Sequence, residues 1–105
     1  MEPLKLFATY ETTLTMALQA EKLSSAGWRT ANSEHALECH QDGAALRLEQ
    51  SGDDLFLLRG DLSREQYTVK GVAAVLDFLH NCAAQFQLDV FEEDGRLTRR
   101  ISSAD

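Results

Sequence analysis

Reactive groups are scarce in this chain: it holds three histidines and two cysteines. The densest run is His35-Ala36-Leu37-Glu38-Cys39-His40. A thiol beside imidazoles is the raw material of a metal site or a Cys–His nucleophile. Read as a strand, the run supports neither. His35 and Cys39 then share a face but stand roughly 13 Å apart at about 3.3 Å per residue, too far to hold one ion. Cys39 and His40 leave opposite faces. Read instead as a short helix capped by Asn32, it makes His35 and Cys39 neighbours one turn apart, and the metal reading returns. His80 and Cys82 are two apart on a helical segment and so face different ways. His80 borders an apolar arc, where a partly buried, hydrogen-bonded ring is expected. A zinc site drawn from His35, Cys39, His80 and Cys82 needs two distant segments to meet, so no metal ligand, catalytic residue or cofactor is assigned.

Ser51-Gly52-Asp53-Asp54 sits between two strand-like runs. It resembles the metal-binding hairpin of nucleotide polymerase and cyclase palm domains, where paired aspartates hold magnesium against phosphates. The resemblance stops at four residues. No aspartate lies in or just after the first strand, and no glycine loop is present to cradle phosphate. Glycine and aspartate are also what a polar turn selects. Arg96, Arg99 and Arg100 form the one basic cluster, beside Glu92-Glu93-Asp94. In strand geometry Arg96 and Arg100 share a face with Thr98, while Arg99 lies with Leu97 and Ile101. Such charges protect a sheet edge and pair across a hairpin, or they anchor an anionic group on a partner. No GxSxG, HExxH, P-loop, GxGxxG or CxxC pattern occurs.

The elements that must carry these groups are legible from periodicity. Leu4–Tyr10 alternates as a strand. Glu11–Ala26 reads as a helix with Thr9 or Thr12 as N-cap, Glu11 near its positive end, and Gly27 placed as a left-handed C-cap. Trp28 restarts an extended segment. Asp42-Gly43 suits a type I′ turn between His35–Gln41 and Ala45–Gln50, where Leu46 and Leu48 face one way and Arg47 and Glu49 the other. Leu55-Phe56-Leu57-Leu58 does not alternate and reads as a central strand buried on both faces. Ser63-Arg64-Glu65-Gln66 fits a capping box, with Leu62 and Tyr67 as its staple. The helix beyond it carries Val69, Val72, Leu76, Leu79 and Ala83, flanked by Val75, Phe78 and Cys82, and is expected to start after Gly71. Phe86–Glu92 and Leu97–Ile101 form a last hairpin about Asp94-Gly95.

The order β-α-β-β-β-α-β-β predicts an α+β two-layer sandwich. A mainly antiparallel sheet of five to six strands carries both helices on one face. The strand–helix–Gly–strand opening is loosely similar to ferredoxin-like domains. All 105 residues fit one domain. With 10 Lys and Arg against 17 Asp and Glu, the net charge is −7. That acidity disfavours nucleic acid and anionic membranes as partners. No apolar run has transmembrane length, and Met1-Glu2-Pro3-Leu4-Lys5 lacks the basic start of a signal peptide. Two free thiols suit a reducing cytoplasm.

On the first helix, Thr13, Met16, Ala17, Ala20, Leu23 and Ser24 are expected to face the sheet. Leu14 and Leu18 project off that face, one turn apart, beside Glu21 and Lys22. Leu14, Leu18, Glu21, Lys22, Arg96 and Arg100 are therefore the candidate interaction residues. The chain reads as a small acidic cytoplasmic protein-interaction module that is not an enzyme, with another protein, basic in character, or a second copy as partner. The alternatives are a small-molecule-binding regulatory domain and, behind it, a metal-dependent nucleotide-handling enzyme at Asp53 and Asp54.

Overall fold

Hydrophobic alternation along the strands gives a core-facing apolar sheet face, and the two described helices cover it. The computed structural model describes residues 4–32, 36–41, 44–62, 71–92 and 94–103. Its elements are β1 (Leu4–Glu11), α1 (Met16–Ser25), β2 (Arg29–Asn32), β3 (Ala36–Gln41), β4 (Ala44–Gln50), β5 (Leu55–Leu62), α2 (Gly71–Cys82), β6 (Gln85–Phe91) and β7 (Leu97–Ser102). The strands form one antiparallel sheet in the order β2-β3-β4-β5-β1-β6-β7. The α+β sandwich is as expected, but with seven strands in place of five to six. The additional one is β2, four residues following Trp28.

The core face is built from Leu4, Leu6, Ala8 and Tyr10 of β1, Phe56, Leu58 and Leu62 of β5, and matching residues of β3, β4 and β6. Leu23 of α1 and Val72, Val75, Phe78 and Leu79 of α2 close over them. Gly60 lies directly opposite Leu46 in the β4–β5 register. A Cβ at Gly60 would stand 2.5 Å from the Leu46 side chain and 2.8 Å from the Ala45 carbonyl oxygen. Glycine there lets Leu46 lie flat across the neighbouring strand.

Leu55–Leu58 is central but not buried on both faces. Phe56 and Leu58 are buried, Leu57 is partly exposed, and Leu55 is 52% exposed. The reason is that both described helices cover the other side of the sheet. The segment left open between strand and helix is settled as β3, from Ala36; His35 lies outside the described residues, as do Asp42-Gly43 and the capping box at residues 63–66. The described part of α2 begins at Gly71, not after it.

The first helix starts later than its pattern suggested. Glu11 and Thr9 still belong to β1, Glu11 opposite Leu55 and Gln85 and Thr9 opposite Leu57 and Gln87. Thr12 makes a turn: its hydroxyl accepts from the Leu14 amide at 3.1 Å and donates to the Cys82 carbonyl at 2.6 Å. The N-cap is Thr15, whose hydroxyl accepts from the Leu18 amide at 3.2 Å. At the far end the expected glycine stop holds. Gly27 has φ +98°, Gly27 N–H donates to Ser24 O, and Trp28 N–H donates to Leu23 O. These two bonds make a Schellman motif, with buried Trp28 and Leu23 as its apolar pair.

Candidate functional site

α1 meets the sheet through a face rotated from the expected one. Leu23 and Gln19 are buried and Met16 and Ala20 partly so, while Thr13, Ala17 and Ser24 are exposed. Gln19 takes an inward position because its side chain satisfies two groups there. The Tyr10 hydroxyl donates to Gln19 Oε1 at 2.7 Å, and Gln19 Nε2 donates to the Leu14 carbonyl at 3.0 Å. Tyr10 itself stacks on Phe56, with ring centroids 5.5 Å apart, and meets Phe78 edge-on at 6.1 Å. Burial drives its phenol far above the ordinary range, so it remains a donor.

The rotation turns Leu14 and Leu18 towards α2. Between the helices runs a groove of about 710 Å³. Leu14, Leu18 and Leu23 of the α1 side and Ala74 and Phe78 of α2 give it an apolar lining, with Glu21, Lys22, Asp77 and Asn81 also at its walls. Leu14 is half-buried, and Leu18 is 45% exposed. Gln19 thus joins the core to the groove, since it holds the Leu14 carbonyl while accepting from Tyr10. Four of the six expected interaction residues, Leu14, Leu18, Glu21 and Lys22, line this one cavity. The α2 half was missed because Phe78 reads as core and Asp77 and Asn81 as solvated. The stripe Ala74-Asp77-Phe78-Asn81, spaced by three and four, was the available signal.

Arg96 and Arg100 lie elsewhere, in the β6–β7 hairpin. Arg100 forks onto Asp89 at 2.8 and 3.2 Å, and Asp89 is otherwise buried. The guanidinium is therefore engaged within the chain and satisfies a carboxylate the sheet has desolvated. A bulge between Val90 and Phe91 sets Phe91 opposite Leu97 and Val90 opposite Arg99. It overturns part of the expected strand alternation: Leu97 shares the side away from the described helices with Arg100, while Arg99 shares the core side with Ile101 as expected.

Cys39 is buried and its neighbour His40 exposed on the opposite face. Burial pushes the Cys39 thiol up to about 12 and the Cys82 thiol up to about 11, which makes both poor nucleophiles at neutral pH. His80 is exposed rather than partly buried, and its ring stands edge-on to Phe86 at 5.0 Å. Asp53 and Asp54 are exposed in a turn held by backbone bonds, with Asp54 O accepting from the Thr12 amide. Among the described residues, no three His, Cys, Asp or Glu side chains gather to hold a metal ion. No described helix is long and apolar enough to cross a membrane. No family model, curated protein or solved structure matches the chain.

Proposed function

We propose that this chain is a small protein-interaction module, a regulator, adaptor or inhibitor working in a reducing cytoplasm, and that its partner enters the α1–α2 groove. The observation that carries the reading is Leu18, a leucine 45% exposed at a groove also lined by Leu14, Leu23 and Phe78. Water wets Leu18 and, in part, Leu14 in the free chain, and an apolar anchor from a partner would release it. The charged groups beside them are two carboxylates, Glu21 and Asp77, against one ammonium, Lys22. On a chain of net charge −7, that balance favours a partner segment with apolar anchors flanked by Lys or Arg.

Peptide display against the whole chain tests this. Selected peptides should combine apolar anchors with basic flanks, and Leu14→Glu with Leu18→Glu should weaken their binding at least about a hundredfold while the chain stays folded. Selected peptides that bind the double variant as tightly as the wild type would remove the groove from the account. A second reading, a small-molecule regulatory domain, draws on the same cavity, whose 710 Å³ lies within the usual range for ligand pockets. A thermal-shift screen separates the two, because a pocket ligand raises Tm by mass action.

A further inference from the structure

The side of the sheet that neither described helix covers, its helix-free side, carries a diagonal of apolar side chains. In the strand registers, Leu55 and Leu57 of β5, Phe7 of β1, Phe91 of β6 and Leu97 of β7 all point to that side. Each step from Leu57 to Phe7 and from Phe7 to Phe91 moves one strand over and two residues along, so the side chains run as a continuous oblique stripe. Of the three exposed large hydrophobic side chains in the described residues, two, Leu55 at 52% and Leu97 at 42%, end this stripe. Every large apolar position of the stripe is at least partly exposed.

The charge on this side differs from that of the rest of the chain. Among the described residues it holds five cations and five carboxylates, whereas the remainder holds three cations and six carboxylates. Most charges here are already paired beside the stripe: Lys5 with Asp61 at 2.6 Å, Arg47 with Glu49 at 2.7 Å and Glu38 at 3.2 Å, and Arg100 with Asp89 at 2.8 Å. Three are not. The side chains of Arg29, Arg59 and Glu11 make no ion pair with any described residue, and Arg59 and Glu11 flank the stripe on opposite sides.

We infer that the helix-free sheet face is the contact between two copies of this chain, packed stripe on stripe about a two-fold axis. Two chains of charge −7 repel through any acidic surface, so they can meet only where charge cancels and apolar area is exposed. A two-fold axis along the stripe exchanges its two sides and brings Arg59 of each copy towards Glu11 of the other. The molecule measures 34 by 29 Å in its longer dimensions, ample for the roughly 800 Å² per partner of a standard interface. This surface is distinct from the α1–α2 groove and leaves the groove free.

Sedimentation across a wide concentration range decides the matter. The wild type is expected to reach twice 11.7 kDa, and Leu55→Glu with Leu97→Glu to stay at 11.7 kDa with an unchanged Tm. A wild type that stays monomeric throughout overturns the inference, as does a dimer that survives this pair of substitutions. Should the pair fail to fold, the charges decide. Arg59→Glu should weaken the dimer about tenfold and Arg59→Glu with Glu11→Arg should restore it, whereas no restoration overturns the geometry.

Discussion

At Gln19 the chain places an amide where hydrophobic periodicity asks for an aliphatic side chain. The amide is fully buried, and it is tolerable only because Tyr10 and the Leu14 carbonyl satisfy it. Gln19→Ala leaves the Tyr10 hydroxyl buried without an acceptor, which costs about 1–3 kcal/mol in urea denaturation. Tyr10→Phe with Gln19→Leu removes both partners and is expected to recover much of that loss. Equal losses in the single and double variants would contradict the pairing. None of this was legible beforehand, because Gln19 has no hydrophobic signature and its partner lies in another element. Leu14 and Leu18 were legible, because two leucines one turn apart stand out on a helix with so few large apolar residues. The engagement of Arg100 was not. It depends on Asp89 being desolvated opposite it, which only the pairing of β6 with β7 reveals.

Helix ends show which signals survive in the sequence and which do not. Gly27 was readable because only glycine takes φ +98° without strain. The start of α1 was not, since Thr9, Thr12, Thr13 and Thr15 are all competent caps and sheet pairing decides among them. Glu11 is held in β1, so the helix cannot begin until the chain has turned at Thr12. Thr15→Ala is expected to lower stability by about 1 kcal/mol in urea denaturation, and Thr13→Ala to leave it unchanged. The reverse order would place the cap elsewhere. The apolar run Leu55–Leu58 misled for a physical reason: absence of alternation means apolar side chains on both faces, not burial of both. Its outer residues belong to the exposed stripe.

For the whole molecule, the layer architecture followed from the order of elements and the turn residues, whereas the sheet order did not. β1 lies between β5 and β6, pairings that span most of the chain and leave no local trace. Burial in that sheet also sets a pH response. Cys39 holds its proton to about 12 against an ordinary 9.0, and Cys82 to about 11. Above pH 9 the unfolded chain therefore releases protons that the folded chain retains. Stability is complete below about pH 9 and falls as pH rises towards 12. Urea midpoints should be flat near neutrality and decline above pH 9, with a shallower decline in Cys39→Ala; a midpoint that does not fall would contradict the buried thiols.

The claim that matters most is that a partner segment enters between the helices. Amide chemical-shift mapping of the whole chain, titrated with a peptide from the display selection, reads this directly. The account expects the largest shifts at Leu14, Leu18, Leu23, Ala74 and Phe78, with Phe7, Leu55 and Leu97 unmoved. Shifts centred on the helix-free sheet face, or on the Asp53-Asp54 turn, would contradict it.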